Sequence, residues 1–199
     1  MGSKRVISKN LSRNSVLPWI VVPIFATFFL ISIVTLWRSS RTAFDQVAHD
    51  DIMHLQEIFK QIQKDCYIVD FEHVVNHIDF LNIQSFTDKK VGSMELAFPK
   101  RWKGPYLKKN LRVQNKLYAV LKNKQGYFII PGKGVRLANG KVIGKTLILD
   151  QNSDMKQLMR DQDGLDSENG VLAARIKIGS RAMKNMTNKK LDMLSAIDA

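Results

Sequence analysis

His73 and His77 stand four residues apart, a spacing that on a helix sets two imidazoles on one face and can hold zinc. A metalloprotease helix needs Glu directly after the first His, where this chain has Val74. The inverted pattern needs Glu before the second, where it has Asn76. The pair therefore reads as two exposed polar residues opposite a face of Phe71, Val75 and Ile78. Oxygen ligands are more concentrated further on. Asp150, Asn152 and Asp154 fall at positions one, three and five of a calcium-type loop, with Asp161 at position twelve. Met155 occupies the position where that loop turns on Gly, and Asp161 replaces the bidentate Glu. The next segment, Asp161 to Gly170, gathers Asp161, Asp163, Asp166 and Glu168 with Gly164 and Gly170 in ten residues. It is either a calcium clamp or a solvated acidic turn. Cys66 is the only cysteine, so no intrachain disulfide and no multi-cysteine zinc site can form. Gly132-Lys133-Gly134 lacks the spacing and hydroxyl of a phosphate loop and reads as a turn after Pro131. No Ser/His/Asp or Cys/His set converges, which leaves an exported enzyme only His73 and His77 to work with.

The elements that would position these residues begin with an uncharged apolar run, Val16 to Trp37, 22 residues long. About 20 such residues span a bilayer core as a helix. Lys4, Arg5, Lys9 and Arg13 precede the run without a compensating acid, so the N-terminus is predicted to stay in the cytoplasm and the rest to be exported. Trp19 and Trp37 sit near the two ends, Pro18 falls in the first turn, and Pro23 lies deeper, where a kink is expected. The run is longer than the core of a cleavable signal peptide, and Arg38-Ser39-Ser40-Arg41 follows it. The localisation implied is a single-pass inner (cytoplasmic) membrane protein with an extracytoplasmic C-terminal domain.

Beyond the run, Phe44, Val47, Ala48, Ile52, Leu55, Ile58, Phe59, Ile62 and Cys66 recur at steps of three and four, one face of a helical stem over 38–66. Phe71, Val74, Val75, Ile78 and Leu81 predict a second helix. Leu117–Leu121 and Tyr127–Ile130 predict a hairpin, Asn139-Gly140 a tight turn, Thr146–Leu149 a strand, and Ala174, Ile176 and Ile178 an edge strand. Met183, Met186, Leu191, Leu194 and Ile197 give residues 181–199 a helical spacing. The fold class expected is α+β: a transmembrane helix continuing into a long amphipathic helix packed on a small antiparallel sheet. The corresponding organisation is a basic tail (1–15), membrane helix (16–37), stem (38–66), globular domain (67–180) and helical tail (181–199).

The chain carries 31 basic and 18 acidic residues, a net +13. Four basic residues precede the run, and the remaining 27 leave about +9 outside it. This charge is dispersed and not interleaved with aromatics, which argues against nucleic acid as a partner.

Trp102-Lys103-Gly104-Pro105-Tyr106-Leu107, placed after a helical stem, is similar to the W-x-G-P-Y-L stretch of the major pseudopilin of type II secretion systems. The resemblance extends to the layout of the chain from Val16 to Gly179. It implies a pilin-like fold and a structural, non-enzymatic subunit of an envelope secretion assembly. It further implies calcium at Asp161, Asp163, Asp166 and Glu168, with Gly164 permitting the turn. The partner surface would comprise Phe44, Val47, Leu55, Phe59, Ile62, Trp102 and Tyr106, facing other pseudopilin-like subunits. The chain departs from that pattern at its start: Gly2 is the only glycine before Gly92 and no Glu precedes Glu57, so the maturation signal is absent. The alternative expectation is a membrane-anchored extracytoplasmic binding or adaptor domain, stabilised by calcium, that does not assemble.

Overall fold

The structure, a computed structural model, describes residues 17–179, without the side chains of 17–20 and 37–42. The basic tail, the indoles of Trp19 and Trp37, and the helical tail expected over 181–199 lie outside what is described. The chain divides into two units, residues 1–40 and 41–199. Helix α1 (Leu17–Cys66, 50 residues) contributes to both and runs unbroken past Pro23.

In the first unit the expectation of a transmembrane helix is overturned. Among the described residues no helix is long and apolar enough to cross a membrane. The single-pass inner-membrane localisation falls with it. Thr27, Ser32 and Thr35 interrupt the apolar stretch, and their hydroxyls donate back to the carbonyls of Ile24, Phe28, and Ile31 and Ser32.

In the second unit α1 buries one face. Ala48, Ile52, Leu55, Ile58, Phe59, Ile62 and Cys66 are all in the core, following the helical period read in the sequence. The helix stops where Tyr67 takes a left-handed φ of 55°. Its N–H still donates to the Gln63 carbonyl (3.2 Å), and the Gln63 side chain accepts from the Ile68 N–H (3.0 Å), which satisfies groups that the end of the helix exposes.

Among the described residues the expected single sheet is instead four small antiparallel sheets. The first holds β1 (Ile68–Phe71), β4 (Met94–Leu96) and β3 (Lys90–Val91), in that order. The second holds β11 (Ala174–Ile176), β8 (Gly126–Ile130), β7 (Ala119–Asn123) and β2 (Val75–His77). Two-stranded ribbons pair β5 (Arg112–Val113) with β6 (Lys116–Leu117), and β9 (Asp166–Ser167) with β10 (Gly170–Val171). A short helix α2 spans Met155–Leu158.

The expected hairpin and edge strand form with shifted bounds: β7 begins at Ala119 and runs on to Asn123, Leu117 pairs in β6 instead, and β11 stops at Ile176. The second helix does not form: β1 and β2 occupy that segment. Asn76 is the reason. It is buried, while its neighbour Val75 faces solvent. The Asn76 amide donates to the His73 carbonyl (2.6 Å) and its oxygen accepts from the His73 N–H (2.9 Å), closing a turn where the apolar spacing suggested helix.

One polar cluster ties the two larger sheets together. The Asp70 carboxylate accepts from Lys122 Nζ (2.7 Å) and from the Tyr127 hydroxyl (2.6 Å). Burial alone would raise the Asp70 carboxyl, but the hydrogen bonds from Lys122 and Tyr127 hold it at about 2. Its contribution is therefore complete above the unfolded carboxylate value of about 4 and is lost as pH falls through about 2. Asp70→Asn is expected to cost about 1–2 kcal/mol at pH 7, moderated because both partners are partly exposed. The gap between parent and variant in urea melts should close between pH 4 and pH 2. A gap unchanged across that range would show that the ion pair contributes nothing.

Candidate functional site

The residues expected to meet a partner separate into two groups. Leu55, Phe59 and Ile62 are wholly buried in the chain's own core, with Phe59 edge-on to both Phe71 and Phe80. They are thus unavailable to another molecule. The sequence shows an apolar stripe but not which of its positions the domain covers. Phe44 and Val47 each precede a buried position, Asp45 and Ala48, so they sit about 100° round the helix from the covered face and are 44% and 50% exposed. Asp45 beside them is buried and its carboxylate accepts from the Ala138 N–H (3.1 Å). Burial pushes its pKa up, partly offset by that hydrogen bond.

In the first unit residues 21–36 of the described helix carry no charged side chain, and the hydroxyls of Thr27, Ser32 and Thr35 bond within it. Eleven large apolar residues between Val21 and Leu36 are 40–71% exposed, including Phe25, Phe28, Phe29 and Leu36. A helix that is apolar all round is stable only when covered.

Trp102 and Tyr106 are half-buried and pack on each other, ring centroids 4.8 Å apart. The Trp102 indole N–H donates to the Ile83 carbonyl (3.0 Å), and Phe86 meets its ring edge-on. Gly104 is needed here because a Cβ would collide with the Trp102 indole and the Ile83 carbonyl. The Trp102–Leu107 segment is thus a packed corner, with Tyr106 and Leu107 N–H groups both donating to the Leu81 carbonyl.

The acidic segment is held by its own hydrogen bonds. Asp161 accepts from the Asp163 N–H (2.9 Å), and its carbonyl accepts from the Gly164 and Asp166 N–H groups. The carbonyls of Gln162 and Gly164 accept from the Asn139 amide. Gly164 has no positive φ; a Cβ there would collide with the Leu158 carbonyl. Asp161, Asp163 and Glu168 point to solvent and Asp166 is half-buried. Among the described residues no three His, Cys, Asp or Glu side chains are grouped to hold a metal ion. Asp150 and Asp154 serve the backbone: Asp150 accepts from the Asn152 and Ser153 N–H groups, and Asp154 caps α2. His73 and His77 are exposed, His77 on β2, so the helical spacing that would pair them is gone.

A further feature escaped the sequence reading. Lys64, Asp65, Lys100, Arg101, Trp102 and Lys103 line a concavity of about 300 Å³ beside the end of α1. The run Lys100-Arg101-Trp102-Lys103 was legible as a basic loop, but Lys64, a distant residue in sequence, joins it only through the fold.

No protein family, curated protein or solved structure matches this chain.

Trp102→Ala should cost about 3 kcal/mol in urea melts, at the lower end for deleting a large aromatic because the ring is half-buried. A loss below about 1 kcal/mol would mark the ring as a surface group free to meet a partner. For calcium to belong to the acidic segment, the melting temperature must be higher with calcium than with chelator. Asp163→Ala with Asp166→Ala must then abolish that difference. Equal melting temperatures in the parent would remove calcium from the account.

Proposed function

We propose that this protein is a non-enzymatic structural subunit, pseudopilin-like in kind, that assembles with further copies through the apolar surface of α1. The observation that carries the reading is the all-round exposure of large apolar side chains from Val21 to Leu36. The hydroxyls of Thr27, Ser32 and Thr35 bond within their own helix, so none requires water or a polar partner. Like helices packed side by side would bury this surface at about 1.5–3 kcal/mol per large side chain. Phe44, exposed beside the covered face of the second unit, offers a further contact of the same kind.

Sedimentation of the full-length chain tests this. The parent is expected as concentration-dependent oligomers. Phe28→Asp with Ile31→Asp should weaken association at least tenfold, which corresponds to about 1.4 kcal/mol, while leaving the thermal melt of the second unit unchanged. A monomeric parent, or one that sediments only with neutral lipid vesicles, would overturn the proposal.

A further inference from the structure

We propose that the concavity beside the C-terminal end of α1 binds a phosphate-type oxyanion. The inference is independent of the assembly reading, since it concerns residues that take no part in the apolar surface.

Four cations, Lys64, Lys100, Arg101 and Lys103, line this one concavity with a single carboxylate, Asp65. Asp65 is engaged by Lys103, Nζ to Oδ2 at 3.1 Å. Lys64, Lys100 and Arg101 have no ion-pair partner among the described residues. The end of α1 favours nearby cations, but its dipole is equivalent to only about half a negative charge. That and Asp65 together leave more than two positive charges unbalanced around a space of about 300 Å³. Like charges held in one concavity repel, and a multivalent anion relieves all of the repulsions at once.

The frame holding these cations is fixed. The Ala97 and Phe98 N–H groups donate to the Tyr67 and Cys66 carbonyls, which pins the chain entering the 3-10 turn Pro99–Arg101 to the end of α1. The Arg101 and Trp102 N–H groups then close that turn onto the Phe98 and Pro99 carbonyls. The Arg101 guanidinium lies 4.7 Å from the centroid of the Phe98 ring, a cation–π contact that limits its rotation. A planar fork held in this way suits two oxygens of one tetrahedral group, with lysines on either side to meet the rest. The match is to a di- or trivalent oxyanion rather than to a single carboxylate.

Titration calorimetry of the full-length chain with inorganic pyrophosphate at low salt tests the site. One saturable site is expected. Lys100→Gln with Arg101→Gln should weaken it at least tenfold, and Arg101→Lys should fall between variant and parent. Lys116→Gln with Lys145→Gln, which removes the same charge elsewhere, should change it less than twofold. Both target side chains are exposed, so unchanged melting temperatures are expected to show that the variants fold. Vesicles containing phosphatidic acid identify the source. A lipid headgroup would show as vesicle binding that pyrophosphate competes away and that the Lys100/Arg101 variant weakens. A soluble phosphate compound would show as pyrophosphate binding without that vesicle effect. Non-saturable binding, or equal losses in the two double variants, would overturn the proposal.

Discussion

The second unit depends on one helical face being covered. Among the described residues none of its eleven strands exceeds five residues, and they are divided among four sheets. Two-stranded ribbons are marginal alone, and the larger sheets need an apolar partner for their buried face. The face of α1 from Ala48 to Cys66 supplies the common floor, and both larger sheets contribute to the core it anchors. The arrangement also explains why the helix ends where it does. The left-handed Tyr67 turns the chain directly into β1, and the Gln63 side chain takes up the first N–H of that strand.

Polar ties fix the sheets on this floor at defined points. Tyr118, wholly buried, donates its hydroxyl to Asp51 on α1 (2.8 Å). Burial and the neighbouring carboxylate both push the Tyr118 pKa up, so the phenol remains a donor. The Gln56 amide donates to the Arg175 carbonyl on the edge strand β11 (2.9 Å). Asp70, Lys122 and Tyr127 join the sheets to each other rather than to the helix. Short strands gain little from ladder hydrogen bonds alone, so these ties, each worth on the order of 1 kcal/mol, set register where strand length does not.

Elements whose determinants are local could be read from the chain. The steps of three and four along α1, the Asn139-Gly140 turn, with Gly140 at a φ of 85°, and the alternation of Ala174, Arg175 and Ile176 all depend on near neighbours. Failures arose where a distant partner decides the outcome. Asn76 looks like a surface residue until His73 and Val120 are seen to satisfy its amide. Thr146–Leu149 alternates as a strand should, with Leu147 and Leu149 buried and Ile148 exposed, yet it makes only one parallel bridge, Ile143 to Leu147. The partner surface was half legible for the same reason. Apolar spacing identifies the stripe on α1, but only the face the domain covers separates Leu55, which is internal, from Phe44, which is not.

The covered face of α1 is fixed at Asp45 by a built contact. The Leu137 N–H donates to the Lys141 carbonyl and the Gly140 N–H to the Leu137 carbonyl, closing the turn that presents the Ala138 N–H to Asp45. The Asn139 amide then clamps the turn to the carbonyls of Gln162 and Gly164 in the acidic segment. A carboxylate is costly to bury, and placing Asp45 on the covered face of α1 makes sense only if the Ala138 N–H is held there reliably. The acidic segment therefore has a structural task with or without an ion, because it braces the turn that meets α1 at Asp45. Phe44, the residue before Asp45, is turned about 100° away from that contact, and its exposure follows from the helical period.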